Sequence, residues 1–242
     1  MDDLARQRAA TAAVWRADVA TRPHGDWADL GGLLVHTTGL PAVHWNGAIV
    51  TSDLRHLGLA RDWFAERAMP WGVMVPAELD LDPGTGYVTD QRVMLRSLRD
   101  LAPTPDVALR WDAGDDCAEV QAEAFGDPVT VAREFVSPKL LNARCAVVVA
   151  YDGARPVATA TLVSVRGVAA VYGVGTVNDA RRQGLGRAVT LAVLHEGVRR
   201  GCDLAFLNPS DLGFGMYAAL GFAEAPPYRI YRALAETGFA AE

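Results

Sequence analysis

Between Asp179 and Ala188 the chain reads Asp-Ala-Arg-Arg-Gln-Gly-Leu-Gly-Arg-Ala, with glycines two apart and arginines at 181, 182 and 187. A β-rich run, Val168 to Val177, precedes this segment and an amphipathic run, Ala188 to Arg199, follows it. The glycines therefore fall between a strand and a helix. Glycines at such a place let the backbone approach a ligand closely. The first amides of a helix have no partner inside it and attract phosphate. The field of a helix N-terminus is worth about 0.3 to 2 kcal/mol for an anion, and the three guanidinium groups add to it. The chemistry that fits is the holding of a diphosphate by Arg181, Arg182, Gln183, Gly184, Leu185 and Gly186.

Rival chemistries fail on spacing. Gly213-Phe214-Gly215-Met216-Tyr217-Ala218 fits G-x-G-x-x-[GA], but no second βαβ strand with an acidic residue can follow it. A P-loop is excluded because the sequence contains no Gly-Lys-[Ser/Thr]. The five histidines are scattered without a helical pair, and Cys117, Cys145 and Cys202 form no C-x-x-C, so no metal is expected. His195 shares an apolar helix face with Ala188, Leu191, Ala192 and Val198, which makes it a packed core residue.

The run Arg181 to Gly186 also matches [RQ]-x-x-G-x-[GA], and Tyr217-Ala218-Ala219-Leu220-Gly221-Phe222 looks like Y-x-x-L-G-F. With both motifs at this spacing, the chain from about Asp115 to Arg232 resembles the GNAT superfamily of N-acetyltransferases. The resemblance implies acetyl-CoA as cosubstrate, with its pyrophosphate on Arg181 to Gly186. It implies that the backbone of Val174, Gly175 and Thr176 pairs with the pantetheine arm and polarises the thioester carbonyl, an oxyanion-hole function. Asn208 and Ser210 stand where members contact the cofactor, although a loop capping its own backbone would read the same way. Tyr217 matches the tyrosine that protonates the departing CoA thiolate, and a phenol with pKa near 10 can serve as a general acid. A core aromatic on a helix would look identical in sequence. Asn178 stands where many members have proline. Glu119, Glu123, Asp127 and Glu134 surround the family's acceptor region, none distinguished as a general base, and deprotonation through water accounts for the chemistry equally well.

The implied function is an N-acetyltransferase, an acyltransferase that passes acetyl to a primary amine by direct attack. The alternative is a non-catalytic acyl-CoA sensor or interaction module. The acceptor is a small-molecule or peptide amine, and a homodimer is left open as the assembly.

The elements that position these residues occur twice. Helix Ala60 to Ala68, strand Trp71 to Val75, turn Gly86-Tyr87 and strand Val93 to Leu95 are echoed by helix Ala188 to Arg199, strand Leu204 to Leu207, turn Gly221-Phe222 and strand Arg229 to Arg232. In the second half, helix Asp115 to Phe125 leads to strands Cys145 to Ala150 and Pro156 to Val165, joined at Asp152-Gly153 in the manner of a hairpin. Ala102 to Asp106 carries two prolines and reads as a linker. The expected fold class is α/β (α+β), with two units of mixed, mostly antiparallel sheet flanked by helices, at 1–101 and 107–242. The first half has a single glycine, Gly58, across Ser52 to Leu59, where the second has its turn. It resembles a degenerate repeat that shapes the acceptor side without binding cofactor. Trp15, Trp27, Trp45, Trp63 and Trp71 all lie there.

Composition narrows the partners. Half of the 242 residues are hydrophobic, enough for a sizeable core. The net charge is -6 with no basic block, which argues against nucleic acid. No apolar run approaches the roughly 18 residues of a membrane span, and the charged opening is unlike a secretory signal. A cytoplasmic protein with reduced thiols is expected.

Overall fold

The computed structural model describes residues 2–233. In chain order the elements are α1 (Asp3–Val19), β1 (Asp26–Asp29), β2 (Leu33–Thr37), β3 (Gly47–Val50), α2 (Leu57–Ala65), β4 (Gly72–Pro76) and β5 (Gly86–Ser97). There follow β6 (Ala108–Trp111), α3 (Gly114–Phe125), α4 (Val129–Leu140), β7 (Cys145–Asp152), β8 (Arg155–Val165) and β9 (Val168–Thr176). The last are α5 (Leu185–Arg199), β10 (Leu204–Leu207), α6 (Asp211–Ala219) and β11 (Ala223–Arg232). The fold is mixed α/β.

The chain forms two compact units, each made from two segments. The larger takes residues up to Ala17 and Met94–Glu224, and the smaller takes Asp18–Val93 and the chain from Ala225. The break read at Ala102 to Asp106 thus lies inside the larger unit, and the end segments are exchanged. The last four residues of β5 pair antiparallel with β10, Ser97 opposite Leu204 and Met94 opposite Leu207. In the smaller unit β11 pairs antiparallel with β4, Arg232 opposite Gly72 and Tyr228 opposite Pro76.

Both units repeat one device. In the larger, β8 and β9 are antiparallel, and α5 then carries the chain to β10, parallel to β9. In the smaller, β2 and β3 are antiparallel, and α2 carries the chain to β4, parallel to β3. The helix runs Leu57–Ala65 and not Ala60 to Ala68, and it cannot reach Ala68, where the chain is in the left-handed region. Gly86 and Tyr87 begin a strand and do not turn. The reversal comes earlier, where Asp82 Oδ1 accepts the Gly84 amide at 2.8 Å and Gly84 has φ +69°.

Helices cover both faces of the larger unit's sheet. Ala169 and Val171 of β9 pack with Val189, Ala192 and Val193 of α5 and with Tyr217 and Leu220. The alternate residues Val168 and Ala170 pack with Ala10 and Val14 of α1, the period of two that a strand buried on both faces requires. Cys117, Ala118 and Ala122 of α3 and Ala132 and Val136 of α4 lie on Val147, Val149 and Tyr151 of β7. Each fully buried valine or leucine contributes about 1.5 to 3 kcal/mol, which fixes these helices on the sheet. The hairpin at Asp152-Gly153 forms, with Asp152 opposite Arg155 and Gly153 at φ +59°.

Candidate active site

The site begins with an irregularity in β9. Opposite Thr159 to Thr161 of β8, two steps apart, β9 advances three, from Tyr172 to Gly175. The extra residue is a bulge. Gly173 takes φ +57° there, and a Cβ at this position would lie 2.5 Å from Gln121 Nε2. The bulge also shifts the phase of the strand. Before it, Ala169 and Val171 face α5. After it, Val174 packs on that same core and Thr176 Oγ1 lies 3.4 Å from where a Gly186 side chain would stand. The insertion thus brings both to the α5 face. Gly175 turns to α3, where a side chain would meet Ala124 Cβ at 3.0 Å and the Phe125 ring at 3.5 Å.

The parallel ladder between β9 and β10 stops at Val171 opposite Leu207, although β9 continues to Thr176. β10 itself ends at Leu207, which leaves that edge of the β9 backbone without a strand partner over the Val174 to Thr176 stretch. The polar groups of such an edge can pair with an extended amide-bearing ligand.

From Thr176 the chain passes through a short 3-10 turn, Asn178–Ala180, into the glycine turn. Arg155 anchors it through two bonds to the Asp179 carboxylate, 2.7 and 3.0 Å. That bidentate pair holds the Asp179 carboxyl below its ordinary pKa. Gln183 donates to the Asp179 carbonyl at 3.4 Å. Arg182 adopts φ +66° and is exposed, and Gly184 follows at φ +81° as the N-cap of α5. No side chain caps that helix, so its first amides face outward, the geometry that receives an anion. A Cβ at Gly184 would meet nothing within 4 Å, whereas one at Gly186 would meet Met216 Sδ at 3.4 Å. Leu185 is half-buried behind the turn against the core. Arg181 differs from its neighbours. Its guanidinium donates to the carbonyls of Thr176 at 3.2 Å and Ala124 at 3.3 Å.

α6 stands beside the turn through Met216. Ser210 caps it, its Oγ accepting from the Gly213 amide at 3.3 Å. The capping alternative is therefore what its side chain does here. Asn208 is half-buried just beyond β10. Tyr217 is 7% exposed, with its ring edge-on to Phe222 at 6.0 Å and its Cε2 2.9 Å from where a Gly213 side chain would stand. Burial pushes its pKa up to about 12, so the phenol is protonated at neutral pH. Thr176 of β9 and Met216 of α6 both lie beside Gly186 of the glycine turn.

The other candidates separate. His195 Nε2 lies 2.9 Å from the Ala102 carbonyl, a structural bond. Glu123 accepts the Asn178 amide at 3.1 Å. Glu119 lies 3.7 Å from Arg133, and Asp127 and Glu134 are exposed. Gln121, Ala124 and Phe125 were not singled out from sequence. The signal for them was the pair Gly173 and Gly175 inside a strand, which marks a bulge or a close approach. Among the described residues no group of three or more His, Cys, Asp and Glu is gathered to hold a metal, and no helix is long and apolar enough to cross a membrane.

The corresponding place in the smaller unit is different. Its parallel ladder runs to Ile49 opposite Met74 and β3 ends one residue later at Val50, so no comparable stretch of β3 edge is left open. The connection to α2 holds Asp53, which accepts Arg55 Nε at 3.0 Å and Nη2 at 2.9 Å. Arg55 holds that carboxyl well below the usual range. In that connection the arginine is paired with the carboxylate beside it, and Gly58 has no second glycine two residues away.

Residues 114–222 match the model of the acetyltransferase (GNAT) family. No curated protein matches the chain. Among solved structures the chain is similar to a GCN5-related N-acetyltransferase from Kribbella flavida, with TM-score 0.73, 20% identity and 96% of each chain covered. It is similar to a functionally unknown conserved protein from Staphylococcus epidermidis, with TM-score 0.64, 16% identity, and 87% of this chain and 95% of that one covered. A tandem GNAT protein from the clavulanic acid biosynthesis pathway gives TM-score 0.62 at 13% identity, over 96% of this chain and 95% of that one. At these identities the likeness speaks for the fold alone. The match to the acetyltransferase (GNAT) family model over residues 114–222 is thus set in a chain whose fold is similar to those structures.

Proposed function

We propose that the protein is an N-acetyltransferase that moves acetyl from acetyl-CoA to a primary amine by direct attack, using only the larger unit. The observation that carries this is the β9 edge left open where β10 ends opposite Val171, beside an uncapped helix N-terminus. An extended thioester arm fits the first and a pyrophosphate the second. Backbone amides from Gly184 to Arg187 hold the pyrophosphate, with Arg182 and Arg187 supplying charge. The β9 backbone at Val174, Gly175 and Thr176 pairs with the arm and donates to the thioester oxygen as charge develops there. The amine lone pair forms the new C–N bond, the C–S bond breaks, and Tyr217 gives its hydroxyl proton to the departing sulfur. The proton shed by the attacking nitrogen leaves through water. Asn208, the residue after β10, is assigned to the cofactor side on the same reading.

Incubation with acetyl-CoA and a panel of primary amines, with free CoA followed over time, tests the reading. Amine-dependent CoA release is the expected result. Saturable acetyl-CoA binding with no release for any amine would replace the enzyme by an acyl-CoA sensor.

A further inference from the structure

We propose that Arg181 is a positioning residue that clasps the end of α3 to the end of β9, and that the phosphate contacts of the glycine turn belong to its neighbours. The geometry divides the turn in two. Arg182 and Gly184 are exposed, whereas the Arg181 guanidinium is turned inward to two backbone carbonyls, Thr176 on β9 and Ala124 in the last turn of α3. The carbonyls of a helix's last turn have no partner within it, and an arginine there satisfies one and complements the helix dipole. A second bond joins the same elements in the opposite sense, from the Asn178 amide to the Glu123 carboxylate. Between these two links, Ala124 and Phe125 are pressed on Gly175. The clasp therefore fixes the stretch of β9 that, on the acetyl-transfer reading, faces the thioester. The two bonds leave from separate nitrogens, Nε and Nη2, of one rigid plane, a span that the single nitrogen of a lysine ammonium does not reproduce.

Arg181→Lys keeps the charge and loses the fork, and Arg181→Gln loses both. Hydrogen exchange of the Phe125 and Gly126 amides in the free protein reads the clasp without any ligand. It is expected to rise at least about fivefold in both variants, the worth of one hydrogen bond, with exchange in β7 and β8 unchanged. The salt dependence of acetyl-CoA binding is expected to stay at the parent value in both variants, and any loss of affinity from the loosened strand to be equal in the two. The carbonyl stretch of bound acetyl-CoA is expected to move toward its free value in both variants. Parent-like exchange in Arg181→Lys, or an acetyl-CoA affinity and salt dependence that fall in Arg181→Gln and are restored in Arg181→Lys, would overturn the proposal and make Arg181 a phosphate ligand. If acetyl-CoA does not bind the parent protein at all, the acetyltransferase reading fails, and the exchange result still decides the clasp.

Discussion

Gly173 of β9 lies directly beneath the amide of Gln121 on α3, with Nε2 2.5 Å from the position a Cβ would take. At φ +57° the glycine is also in a backbone region that side chains avoid. Gln121 is itself held, donating to Cys117 Sγ at 3.4 Å, while Thr159 donates to the same sulfur at 3.2 Å. The bulge in β9 thus depends on a missing side chain.

Gly173→Ala is expected to cost about 1 to 3 kcal/mol from backbone strain and overpacking together. Urea denaturation measures it. Gln121→Ala in the same chain should recover the packing part and leave the strain. A neutral Gly173→Ala would show that the bulge does not need this contact.

Gly186→Val is expected to abolish the rise in Tm that acetyl-CoA produces by linkage, because its methyls meet Met216 and Thr176 at the mouth of the turn. Gly184→Ala has open space and pays only for φ +81°, about 1 kcal/mol. An unchanged thermal shift in Gly186→Val would place the pyrophosphate elsewhere.

Tyr217→Phe is expected to lower kcat by about 10²-fold, the low end for a general acid, with little change in acetyl-CoA affinity. The loss should shrink for a thioester of a more acidic thiol. Because burial raises the phenol to about 12, the proton it donates is present throughout the neutral and mildly alkaline range. A basic limb of the rate profile near pH 9 that disappears in Tyr217→Phe would contradict this.

His36 is buried in the smaller unit, and burial pulls its pKa down to about 3, opposed by the charge of Asp18. A base whose folded pKa is depressed costs nothing above its unfolded pKa of about 6.5 and costs stability as pH falls below it. Moving from pH 7.5 to 5.5 should remove about 1.4 kcal/mol on this account. Denaturant midpoints at the two pH values check it, with His36→Gln as the control that flattens the difference.

The glycine turn, β9, β10 and α5 were legible because each obeys a local rule: an apolar strand, glycines, then an amphipathic helix. α1 was invisible because it buries Gln7, Thr11 and Asp18 along with its alanines, paired through Gln7 to Thr11 at 2.7 Å and Arg22 to Asp18 at 2.8 Å. A stripe with such polar members has no apolar period. α4 carries Pro138 inside it, which argues against a helix locally and is tolerated near its end. The exchange of β5 and β11 between units lies in pairings distant along the chain, and no local pattern records them. The bulge was within reach, since two glycines stand inside one strand, but its partner Gln121 comes from another element. The same holds for Arg181, whose type suits a phosphate and whose direction only coordinates can give.

The proposed function requires that one of the two similar units, and only one, hold acetyl-CoA. Isothermal titration of the full chain with acetyl-CoA measures this directly. One equivalent per chain, with a Kd of about micromolar order, is the predicted result, since β3 ends beside β4 and Asp53 occupies the first unit's turn. Two equivalents, or none, would contradict it.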